Sequence, residues 1–189
     1  MEVRDVLADE HVEAGELVVR AYRALPGAHL SEGYAAELAD VARRAREADV
    51  LVVRTAARGG LVGCVTFVPG AASPWAELLE EGEAGIRMLA VDPVAQGHGI
   101  GRVLVLACIE RARHLGCRGL MLHTTPWMTT AHRLYEREGF ARFPARDWTP
   151  EPQVPLLSYR LVLDAASTAG EDAVDTGAPD GDPSARGAG

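Results

Sequence analysis

The residues with the most chemical content lie between Val91 and Arg102, in the run Asp92-Pro93-Val94-Ala95-Gln96-Gly97-His98-Gly99-Ile100-Gly101. An apolar stretch carrying Ile86, Met88, Leu89, Ala90 and Val91 stops at Asp92 and Pro93. Glycines follow at alternate positions, and an amphipathic segment begins at Ile100. A strand, a loop with few side chains and a helix start make a backbone anion site: several N–H groups can point at one phosphate, and the helix dipole assists them. A nucleotide P-loop needs GxxxxGK followed by Ser or Thr. The chain has no lysine at all, which excludes that chemistry. A dinucleotide fingerprint, GxGxxG, fails too, because its last glycine falls on Arg102 counted from Gly97 and on Leu104 counted from Gly99. Gln96-x-x-Gly99-x-Gly101 remains, and by itself it reads equally well as a phosphate loop or a tight turn.

A second block, Ala131-His132-Arg133-Leu134-Tyr135-Glu136-Arg137-Glu138-Gly139-Phe140, begins thirty residues after Gly101. Taken together, and in this order, the two blocks resemble the GCN5-related N-acetyltransferases (the GNAT family). The first matches that family's loop for the pyrophosphate of acetyl-coenzyme A, the second its A-x-x-L-Y-E-x-x-G-F block. The resemblance spans roughly residues 2 to 163. It implies an α/β acyl-CoA N-acyltransferase fold: a mixed central sheet of about seven strands, helices on both faces, and a V-shaped splay between strands 4 and 5.

The same resemblance implies the site. Pantetheine would pair with backbone near Leu89, Ala90 and Val91. Pyrophosphate would sit on the N–H groups of Gly97, His98, Gly99, Ile100, Gly101 and Arg102, with Gln96 orienting the loop. Arg102 is equally readable as a solvated helix residue, and His98 as a backbone donor rather than a catalyst. Acetyl transfer by direct attack in a ternary complex needs a neutral amine, a stabilised oxyanion and a proton for the leaving thiolate. Tyr135 matches the family's tyrosine that supplies the proton; a phenol at ~10 stays protonated where a thiol ionises at ~8.5. Its alternative role is a core aromatic on a face with Met128 and Ala131. The oxyanion donor would be the N–H of Leu89 or Ala90.

The base is less defined. Relatives often carry a fourth-strand glutamate where this chain has Gly85; Glu83, two residues earlier, could act through a water or be a solvated strand-end carboxylate. His123, at the end of the fifth expected strand, is a second candidate, since imidazole has a suitable pKa. Met128 stands where relatives often carry Asn, so one cofactor hydrogen bond of the family lacks its partner.

Composition narrows the remaining classes. The net charge is −8, and six acidic residues and one arginine fall within 164–189. The rest is mildly acidic and offers no field to nucleic acid. All nineteen basic residues are arginine, and asparagine is absent. No apolar run reaches membrane-spanning length, and the N-terminus has no signal-peptide core. Cys64, Cys108 and Cys117 read as reduced, buried thiols of a cytoplasmic protein. His11, His29, His114 and His132 show no metal spacing, and His114 with Cys117 falls short of a zinc set, so no metal is expected.

These residues need a scaffold. Residues 2–7 read as a strand, and Ala14, Leu17, Val18, Ala21, Tyr22 and Leu25 as one helix face stopped by Pro26 and Gly27. Ser31 caps one helix with the stripe Tyr34, Leu38, Val41, Ala42 and Ala45. Strands follow at 50–56 and 61–68, joined at Arg58-Gly59-Gly60, and the fourth at 84–91. A helix from Ile100 closes at Gly116. After a strand at 119–124, Thr125 and Pro126 start a helix to Glu138. Residues 140–143 and 156–163 complete the sheet around a proline-punctuated loop, and 164–189 read as a disordered tail apart from the domain at 1–163.

Glu77, Glu80, Glu81 and Glu83 either rim the acceptor site and steer a cationic amine or form a solvated short helix. The leading function is acetyl transfer from acetyl-CoA to a primary amine of a small molecule, peptide or protein, in a monomer or homodimer. A non-catalytic acyl-CoA sensor is the alternative, and acylation of charged transfer RNA is disfavoured by the charge.

Overall fold

The computed structural model describes residues 1–25, 30–55, 59–151 and 154–163. The elements are β1 (Glu2–Asp5), α1 (His11–Arg23), α2 (Glu32–Ala39), α3 (Val41–Glu47), β2 (Asp49–Arg54), β3 (Leu61–Val68), β4 (Glu83–Val91), α4 (Ile100–His114), β5 (Gly119–Thr124), α5 (Thr129–Arg137), β6 (Ala141–Arg142), β7 (Trp148–Glu151) and β8 (Val154–Val162). They build a mixed sheet in the order β1-β2-β3-β4-β5-β8-β6, with β7 paired to β8. β4 and β5 run parallel, and the neighbouring pairs are antiparallel.

Helices cover both faces. Ala14, Leu17, Val18 and Ala21 of α1 are buried over one face with Leu38, Val41, Val50 and Val52. Ile100, Leu104, Val105 and Cys108 of α4 are buried over the other with Val53, Val65, Phe67 and Ile86. Every residue of β3 is buried, as a strand covered on both faces requires. Gly63 lets α4 dock there: a Cβ at that position would lie 2.6 Å from the side chain of Ile100.

Several expected elements appear with their punctuation. Ser31 Oγ accepts the Tyr34 N–H at 3.2 Å. Gly116, at φ 68°, closes α4 in a Schellman turn: its N–H donates to Arg113 and that of Cys117 to Ala112, at 3.0 and 2.9 Å. β1 is shorter than the expected 2–7. The expected stop at Pro26 and Gly27, the hairpin residue Arg58 and the tail 164–189 lie outside the described residues.

Other expectations need correction. The single helix after Ser31 is two, α2 and α3. Asp40 breaks it at ψ 66° because its carboxylate accepts the Arg43 N–H at 2.9 Å, an alternative to continuing the helix. The Arg44 guanidinium then caps α2 by donating to the carbonyls of Glu37 and Leu38 at 2.6 and 2.8 Å. Thr125 and Pro126 do not start α5. They form a turn in which the Thr125 carbonyl accepts from the Met128 N–H and from His132 Nε2. The sheet has eight strands rather than about seven, because Trp148–Glu151 pairs with β8 where a loop was expected. β7 has β8 as its pairing partner, an edge position in which Pro150 is tolerated.

Candidate active site

β4 and β5 are hydrogen-bonded from Glu83 opposite Gly119 to Ile86 opposite Leu122, and there the pairing ends. β4 continues to Val91 and β5 to Thr124, so the strands fork. Met88 marks the bend. It sits at φ 51°, rare for a residue with a side chain, where the register with β3 shifts between Cys64 and Thr66.

Backbone direction past the bend follows from alternation. Asp92 N–H donates to the Val62 carbonyl at 3.0 Å, with Val91 opposite Gly63 and Ala90 opposite Cys64. In an antiparallel ladder successive residues point their peptide groups to opposite sides. Ala90 therefore faces β3, while Val91 presents N–H and C=O to the fork and Leu89, next to the bend, presents its C=O, trans to the Ala90 N–H. Of the three residues expected to meet a pantetheine arm, Leu89 and Val91 offer backbone groups and Ala90 offers none.

The fork holds a cavity of about 40 Å³. Its walls are Ile86, Arg87, Met88 and Leu89 from β4, Leu122, His123 and Thr124 from β5, Tyr22 from α1, Met128, and Tyr135 from α5. The glycine loop lies beyond the end of β4. Gln96, Gly97, His98 and Gly99 are exposed, and Gly97 and Gly99 adopt φ 81° and 77° with open space where a Cβ would be. The first intrahelical bond of α4 runs from Val103 N–H to Gly99 carbonyl, leaving the N–H groups of Ile100, Gly101 and Arg102 without an intrahelical acceptor. An exposed loop of positive-φ glycines opening onto uncapped amides fits a diphosphate. The His98 ring turns back, Nδ1 lying 2.9 Å from the Gln96 carbonyl. Arg102 Nε donates to Glu138 at 2.7 Å.

Tyr135 is 5% exposed, and burial holds its phenol well above the usual range. His123 is half-buried, and burial lowers its imidazole below the ordinary value. Its Nε2 lies 3.3 Å from the Arg146 carbonyl, and its ring meets Trp148 edge-on at 6.3 Å. A carbonyl only accepts, so Nε2 carries the proton and Nδ1 keeps the lone pair.

Glu83 is placed differently from either expectation. It is not solvated: its side chain has no exposed surface, and it contacts Arg146 Nη1 at 2.5 Å and Arg160 Nε at 3.1 Å. It sits at the paired end of β4, about 20 Å of strand from Leu89, and does not line the cavity.

Three of the four glutamates of the acidic cluster are ion-paired. Glu77 pairs with Arg87, and Glu80 with Arg146 at 2.5 Å; Glu81 is exposed. The segment forms turns rather than a short helix. Met128 accepts a hydrogen bond from Thr124 Oγ1 through its sulfur at 3.6 Å. Arg87 and Arg146 were not anticipated. Arg146 lies in the proline-punctuated stretch with no spacing signal, whereas Arg87 interrupts an apolar strand and could have been flagged.

The three thiols are unbonded and buried, and burial pushes Cys64 and Cys108 up to about 12. Among the described residues there is no cluster of three potential metal ligands, and no helix is long and apolar enough to cross a membrane.

Comparison with known proteins agrees with this geometry. A mycothiol acetyltransferase of Saccharopolyspora erythraea is 35% identical over 69 residues, 36% of this chain and 23% of that protein, so the match spans less than a quarter of the relative. A GNAT-family acetyltransferase from Staphylococcus aureus Mu50 superposes with TM-score 0.67 at 14% identity, covering 86% of this chain and 99% of that one. A Brucella melitensis GNAT acetyltransferase solved in complex with acetyl-CoA gives TM-score 0.59 at 23% identity, with coverage of 86% and 88%. The family model described as the acetyltransferase (GNAT) family matches residues 16–140. By that match, over the strands and helices that build the fork and the glycine loop, the chain belongs to the GNAT acetyltransferase family.

Proposed function

We propose that the protein transfers an acetyl group from acetyl-CoA to a primary amine of a small molecule, peptide or protein, by direct attack in a ternary complex. One observation carries this reading: Tyr135 and His123 wall the same cavity, at a fork whose exposed strand edge leads to the glycine loop.

Acetyl-CoA supplies the activated acyl group when bound. The N–H groups of Gly97 to Arg102 hold its diphosphate, and Leu89 and Val91 extend their backbone edge along the pantetheine arm. The Leu89 N–H, beside the bend at Met88, serves as the donor to the carbonyl oxygen as charge develops there. His123, neutral near pH 7 with Nδ1 unprotonated, takes the proton of the attacking amine. Tyr135 keeps its phenolic proton and offers it to the departing sulfur. Burial raises a sulfur anion's proton affinity as well, as it does for Cys108 in the adjacent core, which brings donor and acceptor closer together.

Ion pairing of Glu77, Glu80 and Glu83 weakens the argument for steering a cationic amine, which favours selection of the acceptor by the walls near Tyr22 and Arg87. The buried, unpaired thiols fit a cytoplasmic setting. The test is thiol release from acetyl-CoA over an amine panel, with calorimetry of acetyl-CoA binding. Turnover with at least one amine supports the reading. Binding without turnover would make the protein an acyl-CoA sensor, and no binding would remove the cofactor assignment.

A further inference from the structure

We propose that Glu83 is a positioning residue for His123, acting through the side chain and then the backbone carbonyl of Arg146. This rests on the reading of His123 as the base.

The linkage is continuous. Glu83, buried at the start of β4, takes Arg146 Nη1 at 2.5 Å, and the same guanidinium donates to the Leu78 carbonyl at 3.0 Å and pairs with Glu80. Arg146 ends the short 3-10 turn Pro144–Arg146, so fixing its side chain on the β4 side fixes its peptide group. That carbonyl accepts from two donors, Ser158 Oγ of β8 and His123 Nε2 of β5. The contact to His123 selects its tautomer and ring orientation, the role an acceptor commonly plays for a working imidazole. Other groups near His123 are Arg87 from β4, Asp147 and Arg146 from the turn, and Tyr22 and Tyr135 across the cavity.

Stability alone is a poor account of the cluster. A buried ion pair can often be replaced by packed apolar residues without loss. Directional bonds that set one carbonyl cannot be replaced in that way.

The experiment uses the full chain. An imidazole N–H appears directly in a 1H–15N spectrum when a hydrogen bond protects it from exchange with water. His123→Gln assigns the resonance. We expect a protected His123 Nε2–H signal in the unmodified protein, its loss in Glu83→Gln, and its retention in Arg160→Met, which disturbs the same carboxylate from the other side. Arg146→Lys, which keeps the charge facing Glu83, should retain a signal. Circular dichroism confirms folding, and if Glu83→Gln fails to fold, Glu83→Asp carries the same prediction with a shorter reach. Three results overturn the proposal: no protected signal in the unmodified protein, a signal untouched by the Glu83 variants, or equal loss in Arg160→Met. Thiol release separates the two readings. An active enzyme whose signal ignores Glu83 loses the linkage but keeps its function, whereas an active His123→Gln removes the base and with it the meaning of the linkage.

Discussion

At its N-terminal end β4 is paired on both edges, with β3 and with β5, whereas beyond Ile86 it keeps β3 and leaves its other edge to the fork. The paired end buries charge: Glu83 is enclosed by Arg146 and Arg160. The forked end sets weakly polar groups, Tyr135 and His123, around a small cavity whose charged wall, Arg87, is paired with Glu77. Ion pairs thus fill the space beside the strand where it is closed and form only one wall where it is open, at Arg87, while the groups proposed to react all lie at the open end. Paired charges are held by their partners, even though Glu83 Oε1 and Arg160 Nε meet without a hydrogen bond, while reacting groups need unpaired lone pairs or protons at a surface a substrate can reach. The positive φ of Met88 lies between the two regimes and makes one strand serve both.

Substitutions at the open end should remove rate and leave stability nearly intact. Tyr135→Phe and His123→Gln should each lower turnover by about 10²-fold or more, the usual worth of a positioned acid or base. Both should leave calorimetric binding of acetyl-CoA within about 3-fold, a difference below ~0.7 kcal/mol. Unchanged turnover in either would remove that residue from the mechanism. The pH profile follows from burial lowering His123 below its ordinary ~6.5. The base works while neutral, so turnover should hold through pH 7 and fall only below that ordinary value. Stability has the same sign: the unfolded chain takes up a proton that the folded imidazole resists, so folding weakens as pH falls through this range.

At the closed end the larger effect should be on stability. Glu83→Leu takes the shared carboxylate from two half-buried guanidinium groups, of which Arg146 keeps Glu80; it should cost about 2 kcal/mol, less than breaking a fully buried pair, and lower the thermal midpoint by roughly 4–8 °C. Turnover per folded molecule should fall less than in His123→Gln. The reverse ranking would mean that Glu83 belongs to the reaction itself.

The two ends also differ in how far they can be read from sequence. The glycine loop is legible because positive φ and exposed amides demand particular residues at Gly97 and Gly99, and the block through Tyr135 ties the loop to the family to which the chain belongs. The fork is partly legible: apolar runs locate β4 and β5, but where their pairing stops depends on a bend at Met88, a residue with no turn propensity. The closed end is hidden. Glu77, Glu80 and Glu83 look like an acidic rim when counted along the chain, yet Arg146 is 63 residues from Glu83. Charge compensation across such a separation has no local signature. β7 is obscured for a related reason: Pro150 signals a loop although an edge strand tolerates it.

Within the open end the phosphate loop should respond more weakly than the catalytic pair. Gly99→Val puts a β-branched residue at φ 77° with no neighbour to clash. Its cost is backbone strain of about 1–3 kcal/mol, together with a side chain standing where the diphosphate would approach. Calorimetry should show acetyl-CoA affinity reduced about 10-fold, ~1.4 kcal/mol. An unchanged affinity would place the diphosphate elsewhere.

Arg102 gives the smallest and most discriminating effect. Its side chain is 61% exposed and its Nε is engaged by Glu138, whose side chain is 8% exposed. An exposed pair of this kind contributes about 0–1 kcal/mol, so Arg102→Gln should barely move the thermal midpoint. If the guanidinium also reaches the diphosphate, the variant should weaken acetyl-CoA binding about 3-fold at low salt, and the difference should shrink as salt rises and screens it. Backbone amides are short-range donors within the loop, so the affinity that remains should depend less on salt. Identical salt dependence in both proteins would assign Arg102 to Glu138 alone, leaving the diphosphate to the main chain.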